Sequence, residues 1–376
     1  MRIKRNKIGL IICALLLLTG CNSRSGQGLP PNEFSQRYSP LQVDTLGGLR
    51  EIDAWEIMGK GETISSLQYN HALNRLTLIS EQTGRIILFL IGKGEVTSRQ
   101  IIDIPNLQVL GIDKEGGKLL VGNPGQALNE QGELREYFNW IAIWNIASGS
   151  LDECFSGSCV GRLTDPDKIE NADIGAVMDA ETAVMYDEYS YRYALLSSKD
   201  GGGISLVNSP DAEYWWHIGR IALNTRHNKL AVAYAEGRIE IEKLFGSEIW
   251  PLKGVEILAQ GDENHLQSVQ NAVIDPSDNW LAIVRGKQLS IWKISGWIKN
   301  QTFHDQIDVV RGISFNPPGD LLFIAINDHI RIIGLKENEV VLEIQTPGIA
   351  SLSISDDNRL IFWGDENGTA HVWAIP

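Results

Sequence analysis

Basic residues are scarce in this chain of 376 residues, where 33 lysines and arginines stand against 47 aspartates and glutamates. The formal net charge is −14 at pH 7, and a surface of that sign repels phosphate backbones. We therefore expect no nucleic-acid partner. Any contact with a membrane should come through an anchor rather than through a basic patch.

Long apolar runs are equally scarce, with a single one at Ile8–Leu18. It is shorter than the about 20 apolar residues that a membrane-spanning helix needs. Basic residues precede it at positions 2, 4, 5 and 7, and small residues follow it. This arrangement is typical of a secretory signal peptide.

The residues that end this segment, Leu18-Thr19-Gly20-Cys21, resemble the bacterial lipobox, whose cysteine becomes the lipidated first residue of the mature protein. The resemblance implies that residues 1–20 are a lipoprotein signal peptide and that Cys21 carries acyl chains such as palmitate. Each buried methylene adds about 0.8 kcal/mol of membrane affinity, so that two or three chains hold a domain at a membrane surface. The alternative is an ordinary signal peptide in which Cys21 is incidental.

Glycine, serine, proline and polar residues dominate residues 21–40, a composition typical of a flexible tether. The expected mature protein is a lipidated tether followed by one domain over residues 41–376. We expect it in the cell envelope, lipid-anchored on the extracytoplasmic side: at the outer leaflet of the cell membrane or, with two membranes, at the outer membrane or in the periplasm. Asn22 differs from the aspartate that retains lipoproteins in the inner membrane of enteric-type bacteria.

Cysteine is rare, with four in the chain, and two of these lie close together at Cys154 and Cys159. Outside the cytoplasm an isolated close pair is more typical of a disulfide than of a metal site, and Gly157 allows the intervening loop to turn. Two free thiols are the alternative. A zinc site would need further cysteine or histidine ligands at fixed spacing, and the neighbouring sequence has none.

A short unit recurs along the rest of the chain. In each copy a polar turn-forming residue follows one apolar stretch, and a second apolar stretch begins six positions later. Alternating apolar residues and β-branched side chains around each turn predict strands joined by hairpins, and hence an all-β protein. The copies span Asn70–Leu76, Asp113–Leu119, Asp187–Tyr193, Asn224–Leu230, Asp275–Leu281, Asn316–Leu322 and Ser355–Ile361.

These units resemble WD-repeat β-propeller blades. Phe315–Leu322 is similar to the first turn of that repeat, and Asp365–Trp373 is similar to its second hairpin and third strand. Trp144, Trp292 and Trp373 stand where the family has the tryptophan of its Trp-Asp pair. Because no Trp-Asp pair occurs and the Gly-His that opens a repeat is missing, packing should replace much of the family's buried hydrogen-bond network.

The seven units lie about 37–51 residues apart, except for one interval of 74. A period near 40–45 residues with four short strands is typical of a propeller blade, so the repeat predicts a seven-bladed β-propeller of four-stranded antiparallel blades. The longer interval between Asp113 and Asp187 is interpreted as one blade with loops inserted around residues 123–136 and 164–175. The last blade would expose an unpaired edge after its third strand, and such edges favour aggregation. We expect residues 49–57 to pair there as the N-terminal strand that closes the ring.

Catalytic and metal-binding motifs are missing from the sequence. The seven histidines are scattered, with no His-Glu-x-x-His pair, and no Gly-x-Ser-x-Gly elbow occurs. Asp356-Asp357-Asn358 and Asp365–Gly368 have some likeness to calcium loops, yet they coincide with expected turns. His71 and His227 fall in equivalent turns and are interpreted as solvated. We therefore expect no catalytic residue, no cofactor and no metal.

Acidic and aromatic residues gather around three predicted insertions, at residues 123–136, 164–175 and 256–267. Protein interfaces favour exposed aromatic side chains. The candidate partner-binding residues are Tyr214, Trp215, Trp216, Asp165, Asp167, Glu170 and Asp173. The alternative is that the tryptophans belong to an outer strand and that the acids only increase solubility.

The leading functional hypothesis is a monomeric, membrane-anchored propeller that acts as a scaffold for a protein or peptide partner in the cell envelope and catalyses no reaction. The alternative is a propeller enzyme or small-ligand binder, of the hydrolase or lactonase type, that uses residues of the central funnel. Carboxylates and histidines converging there would favour the enzyme, whereas small and apolar residues would favour the scaffold.

Overall fold

The structure, a computed structural model, describes residues 34–59, 61–71, 73–80, 83–92, 95–103, 108–112, 117–128, 134–146, 150–154, 174–177, 182–187, 192–197, 203–207, 218–224, 229–234, 239–245, 248–250, 269–294, 298–303 and 309–376. Over these ranges the chain consists of β-strands and turns, with two short 3₁₀ segments, Ser35–Arg37 and Leu46–Gly48, before the first strand. No helix in the described ranges has the length and apolar character needed to cross a membrane.

The strands form four-stranded antiparallel sheets, and the described residues contain seven of them. Strand β1 (Arg50–Glu56) comes first in the chain and joins the last sheet. The first sheet contains β2 (Ser66–Asn70), β3 (Arg75–Ser80), β4 (Arg85–Gly92) and β5 (Glu95–Asp103). The second contains β6 (Gln108–Ile112), β7 (Lys118–Leu128), β8 (Leu134–Asn145) and β9 (Ser150–Cys154). The third contains β10 (Ile174–Val177), β11 (Thr182–Asp187), β12 (Arg192–Ser197) and β13 (Gly203–Val207).

The remaining sheets follow the same up-and-down order along the chain. The fourth contains β14 (Ile218–Asn224), β15 (Lys229–Tyr234), β16 (Ile239–Phe245) and β17 (Glu248–Trp250). The fifth contains β18 (Val269–Ile274), β19 (Trp280–Arg285), β20 (Gln288–Lys293) and β21 (Ile298–Phe303). The sixth contains β22 (Val310–Phe315), β23 (Leu321–Ile326), β24 (His329–Gly334) and β25 (Glu339–Gln345). The seventh contains β26 (Ile349–Ile354), β27 (Leu360–Asp365), β28 (Thr369–Ala374) and β1.

The seventh sheet takes its strands from both ends of the described chain, in the order β1, β28, β27, β26. Strand β1 runs antiparallel to β28, from the pair Arg50–Ala374 to the pair Glu56–Thr369. It therefore covers the edge that β28 would otherwise expose to unwanted strand pairing. This is the partner that the sequence predicts for residues 49–57.

Burial is greatest in the second strand of a sheet and least in the fourth. All the residues of β23 and β27 are buried, whereas β25 and β1 are mostly exposed or half-buried. A strand that is covered on both faces is a nearly continuous apolar run, as Leu321–Ile326 is. The second strands therefore lie where neighbouring sheets pack face to face.

Apolar cores join neighbouring sheets. Tyr69 and Phe362 lie in the core between the seventh and first sheets, and Phe323 lies between the sixth and seventh. Leu322 belongs to the core between the fifth and sixth sheets, and Ile86 to the core between the first and second. Strand contacts also link β6 to β10, β10 to β14 and β14 to β18. Since each fully buried large apolar side chain contributes about 1.5–3 kcal/mol, these cores supply most of the favourable free energy of folding.

The turn predicted at Asp187–Tyr193 is present as a hairpin, but its position in the sheet differs from that of the other six. Asp187 and Tyr193 lie in the hairpin between β11 and β12, the second and third strands of their sheet, where Asp187 pairs with Arg192. The other six turns connect a first strand to a second. In the third sheet that connection runs from Val177 to Thr182. The other six units have leucine or isoleucine at the position of Tyr193. The tyrosine is thus the one sequence sign that this hairpin is not equivalent to the other six turns.

The predicted inserted loop at residues 123–136 is wrong, because β7 and β8 continue through most of it as one long hairpin. Their pairing extends as far as Leu128 and Leu134, with a register irregularity between Asn123 and Pro124. Proline has no N–H to give to a ladder, and sheets tolerate it at such irregularities. The apparent turn signal of Pro124 therefore interrupts the register without ending the strand.

The packed part of the chain begins earlier than the predicted boundary at residue 41. Phe34 is 2% exposed and Ser35 is fully buried. Ser35–Arg37 forms one turn of 3₁₀ helix. The predicted tether, residues 21–40, therefore extends too far, because its aromatic residues find apolar surface to cover.

Candidate binding surface

The polar residue that marks a repeat is buried in the turn between the first and second strands of its sheet. Asp275, Asn316 and Ser355 have no exposed surface, and each accepts a hydrogen bond from the backbone N–H that begins the next strand. A buried N–H without a partner costs about 1–3 kcal/mol, so these positions need an acceptor oxygen. We call the end of the sheets that carries these turns the first-turn face. The donors are the N–H groups of Trp280, Leu321 and Leu360, respectively.

Asn316 also links its sheet to the next one. Its Nδ2 donates to Oδ1 of Asp320 at 2.6 Å and to Oδ1 of Asn358, in the seventh sheet, at 3.2 Å. Nδ2 of Asn358 in turn donates to the carbonyl oxygen of Leu41 at 3.0 Å. A chain of side-chain amides thus connects the sixth sheet, the seventh sheet and the N-terminal segment on the first-turn face.

Asp275 occupies the same position in the fifth sheet but carries a carboxyl group. Burial raises the pKa of Asp275 above its usual value, while the hydrogen bonds from the backbone N–H groups of Trp280 and Ser277 act in the opposite direction. The turn of the sixth sheet lies against this carboxyl. A Cβ added to Gly319, which has a φ of +72°, would lie 2.5 Å from Oδ2 of Asp275. Glycine is therefore required there both by space and by backbone conformation.

Residues 34–49, which we call the clasp, lie across the first-turn face of the seventh sheet. The N–H of Ser39 donates to the carbonyl of Ile375 at 2.8 Å, and the N–H of Leu41 donates to the carbonyl of Asn358 at 2.7 Å. Main-chain bonds of this kind hold a polypeptide without regard to its side chains. The backbone of the clasp is therefore fixed on the sheet at two points.

The side chains of the clasp fill grooves on both sides of the seventh sheet. Leu41 and Leu46, 0% and 3% exposed, lie in the core between the sixth and seventh sheets. Phe34 lies in the core between the seventh and first sheets, and Tyr38 packs against it with the two ring centroids 5.6 Å apart. Because burying such side chains contributes about 1.5–3 kcal/mol each, the clasp is part of the folded domain.

Tyr69 shows how tightly the groove between the seventh and first sheets is closed. It is fully buried, stacks on Phe362 with ring centroids 4.6 Å apart, and its hydroxyl donates to Oδ1 of Asn74 at 2.9 Å. Burial, and to a smaller degree the charge of Asp357, raise the pKa of Tyr69 far above its usual value. The phenol therefore remains a neutral hydrogen-bond donor.

The corresponding groove between the fifth and sixth sheets is open; we call it the open groove. It forms a pocket of about 330 Å³ on the first-turn face. Its floor includes the buried Leu335, and its rim includes the exposed Lys293 and Lys336. The lining residues are Trp280 and Lys293 from the fifth sheet and Gly319, Asp320, Leu335, Lys336 and Asn338 from the sixth.

The three grooves are equivalent in position. In the first of the two sheets that form each groove, the residue that begins the second strand is paired with the residue that ends the third strand. The residue of this pair that ends the third strand is Gly334 in the sixth sheet, Ala374 in the seventh and Lys293 in the fifth. The two filled grooves thus have a small, neutral residue where the open groove has a lysine. The pairs are Leu321–Gly334, Leu360–Ala374 and Trp280–Lys293.

The described histidines lie apart from one another. His371 lies flat on Trp363, with ring centroids 3.7 Å apart, and its Nδ1 is 2.6 Å from Oε1 of Glu51 on β1. His71 lies in the turn between β2 and β3, half-buried, in agreement with a turn role. In the described part of the chain, no group of three or more histidine, cysteine, aspartate or glutamate residues is arranged to hold a metal ion.

Tryptophan positions agree with the repeat, although the hydrogen bonds do not. Trp144, Trp292 and Trp373 lie in β8, β20 and β28, the third strands of their sheets. Among the described residues, the indole N–H groups of Trp144 and Trp373 have no acceptor. Packing and the buried turn residues therefore take over the role that the polar network has in WD-repeat blades.

Most of the other predicted site residues lie outside the described ranges. Cys154 ends β9, but the structure does not describe its side chain, and the disulfide with Cys159 stays a prediction. Of the predicted insertion at residues 164–175, only the start of β10 is described. The residues wholly outside are Cys21, Cys159, Tyr214, Trp215, Trp216, Asp165, Asp167, Glu170 and Asp173.

Comparison with solved structures identifies the architecture. The β-propeller domain of Cps50 (Swd1) from Myceliophteria thermophila covers 87% of this chain and 100% of its own length, with a TM-score of 0.60 and 13% sequence identity. The fold is a β-propeller. No protein-family model matches the sequence, and no curated protein matches it either. At this identity the likeness establishes the fold alone, so function has to be argued from the propeller's own surface.

The clasp and the open groove lie together on the first-turn face of this propeller. Sequence reasoning finds the buried turn residues of that face, since they recur at fixed spacing. It misses the clasp and the open groove. The available signal is the set of large apolar residues in an otherwise polar segment: Phe34, Tyr38, Leu41 and Leu46.

Proposed function

We propose that this propeller is a seven-bladed ring closed by β1, and that it serves as a binding scaffold for a protein or peptide partner rather than as an enzyme. The closed ring is supported by the cores and strand contacts that join each blade to the next, and by the core between the seventh and first blades. A closed ring leaves few free strand edges, which keeps its faces available for partners.

The clasp supports a binding role, because it is a segment outside the sheets, turned at both ends and extended around Ser39–Leu41, that is held in the grooves between these blades. It is bound through main-chain hydrogen bonds at Ser39 and Leu41 and through buried side chains such as Leu46. This combination of backbone bonds and side-chain pockets is a common mode of peptide recognition. The propeller's surface is thus suited to hold peptide segments of other proteins in the same manner.

Membrane anchoring through lipid at Cys21 is the second part of the proposal. The lipobox-like sequence supports it, and the clasp begins at Phe34, a short distance along the chain. Residues 22–33 would span at most about 43 Å at 3.3–3.6 Å per residue. The propeller would then sit close to the membrane on its extracytoplasmic side, where the partner would be another envelope protein.

Envelope fractionation tests the anchoring. We expect the full chain to sediment with membranes and the C21A variant to be released. A C21A variant that remains bound to membranes as firmly as the wild type would contradict lipidation at Cys21.

Crosslinking in intact cells, followed by purification and mass spectrometry, tests the binding role. We expect the full chain to capture a defined envelope protein, and capture to be lost when Asp165, Asp167, Glu170 and Asp173 are changed to lysine if the acidic insertion is the contact. Capture that survives this change places the contact on another face. Absence of any specific partner, together with hydrolysis of a lactone or ester by the purified chain, would favour the enzyme instead.

A further inference from the structure

We propose that the open groove, between the fifth and sixth blades, binds an extended segment of a partner protein that carries a bulky apolar side chain next to a carboxylate. This inference rests on the proposed scaffold function and names the site and the chemistry of the partner. It follows from the occupancy of the two grooves beside it and from the charges at the rim of the open one.

The neighbouring grooves define what fits. At the groove between the sixth and seventh blades, the residues equivalent to the lining of the open groove contact the clasp. Leu321, in the position of Trp280, packs in the core that contains Leu41, and Asn358, in the position of Gly319, forms two hydrogen bonds with the backbone of Leu41. A short extended stretch with a buried apolar side chain, such as Ser39–Leu41, is therefore the natural occupant of this kind of groove.

The clasp does not reach the open groove. It crosses from the groove between the sixth and seventh blades, at Leu41 and Leu46, to the groove between the seventh and first blades, at Phe34. Phe34, the first residue that the structure describes, lies on the side of the seventh blade away from the open groove. A segment of a different protein is therefore the occupant that the geometry favours.

Charge distinguishes the open groove from the filled ones. Lys293 stands where the filled grooves have Gly334 and Ala374, and Lys336 lies across the pocket from it. Both lysines are exposed, and within the described residues neither forms an ion pair. The one lining carboxylate, Asp320, accepts a hydrogen bond from Asn316. In a protein with a net charge of −14, two lysines at one pocket select for an acidic ligand.

The pocket also has the size and composition for a side chain. Its volume of about 330 Å³ is at the small end of ligand pockets, which measure about 300–1,000 Å³. Trp280 forms a half-buried wall, and Leu335 is 3% exposed at the floor. Aromatic walls of this kind are enriched at the energetic centres of interfaces.

A synthetic peptide that copies the clasp provides the probe. Residues 38–49 supply apolar side chains at Leu41 and Leu46 and a carboxylate at Asp44. Binding of the fluorescently labelled peptide to the purified full chain is measured by anisotropy. We expect saturable binding, since the clasp in the same molecule already occupies the other two grooves.

Charge reversal locates the site. We expect K293E and K336E each to weaken binding by about three- to tenfold, as when an exposed attraction becomes a repulsion of like charges. R50E, which makes the same charge change on the exposed strand β1, is the matched control and should leave binding within about twofold of wild type. A peptide with D44K should bind the wild type poorly and regain affinity for the K293E/K336E double variant.

The outcomes separate this inference from the scaffold function itself. No saturable binding of the peptide, or equal binding by the wild type and the double variant, would overturn the open groove as the site. Self-association of the full chain that is lost in the double variant would overturn it in favour of a second copy as occupant. An envelope partner that crosslinks equally well to the double variant refutes the groove and leaves the scaffold function standing.

Discussion

Replacing Asn316 by alanine tests whether the buried turn residues hold the propeller together. The alanine variant removes the acceptor for the N–H groups of Asp320 and Leu321, at 3.1 and 2.9 Å, and the donor to Asn358. Each buried group left without a partner costs about 1–3 kcal/mol. Asp320 is exposed, so its N–H can form a hydrogen bond with water once Asn316 is removed. The cost then comes mainly from the buried groups, and we expect N316A to lower the free energy of unfolding by about 2–4 kcal/mol.

The serine variant provides the matched control. Ser355 occupies the equivalent turn in the seventh blade, where its Oγ accepts from the N–H groups of Arg359 and Leu360 at 3.2 and 2.9 Å. N316S therefore keeps the acceptor and loses the two bonds donated by the amide, the buried one to Asn358 and the one to the exposed Asp320, whose carboxylate can bind water instead. We expect it to cost about 1 kcal/mol, the net value of one hydrogen bond.

Urea unfolding followed by tryptophan fluorescence measures both variants. The free energy change is obtained from the shift of the midpoint at constant slope. An N316A variant within about 0.5 kcal/mol of wild type, the range typical of neutral surface substitutions, would refute the turn argument. So would an N316S variant as unstable as N316A, because the acceptor oxygen would then not be what the turn requires.

Two further predictions concern the same face. L41A should lower the free energy of unfolding by about 2–5 kcal/mol in the urea assay, as for other fully buried leucines. Its control Q42A, at an exposed neighbouring residue, should change that free energy by less than about 0.5 kcal/mol. Equal effects of the two substitutions would mean that the clasp is not part of the core. Burial raises the pKa of Asp275 in the folded protein above its ordinary value of 3.8. The folded state therefore holds this proton more tightly than the unfolded state does, and the wild type loses stability as the pH rises through the folded-state pKa. D275N has no carboxyl group at this position and lacks this loss. The stability of D275N relative to wild type should therefore rise between about pH 3 and pH 7, and a pH-independent difference would contradict a raised pKa.

The parts of the fold that repeat are the parts that the sequence predicts. A polar residue six positions before an aliphatic one recurs because a buried acceptor must meet the first N–H of the next strand, as Asn316 does for Leu321. Local chemistry of this kind is visible in a single sequence. The same holds for β1, whose apolar residues have no partner nearby and find one in β28.

Errors arise where two hairpins share a spacing or where a turn former lies inside a strand. Asp187 and Tyr193 match the repeat in separation, yet they join the second strand to the third. Pro124 resembles the start of a loop, yet the ladder resumes beyond it. In both cases pairing with the neighbouring strand decides the structure, and a single-strand pattern does not contain that information.

The candidate site is the least predictable part. Leu41 binds residues more than 300 positions away in the chain, such as Asn358, and no local period announces such a contact. The open groove is defined by the residues that its two neighbours lack. Lys293 can be recognised as a distinguishing residue of this groove only when the strand pairing shows that Gly334 and Ala374 occupy the equivalent positions in the other two sheets. Each groove is lined by residues of two neighbouring sheets that are far apart in the sequence, so it can be identified only from the folded structure.

The pairing of β1 with β28 sets an order of events during synthesis. The strand that leaves the ribosome first is joined to one of the last, since Arg50 pairs with Ala374. At about 5–20 residues per second, β1 waits tens of seconds for its partner. Throughout that interval the nascent chain carries a strand with unsatisfied hydrogen-bonding groups at its beginning, a target for chaperones and for proteases. Copies interrupted before β28 lack the partner strand of β1, so the pairing of these two strands also distinguishes finished molecules from unfinished ones.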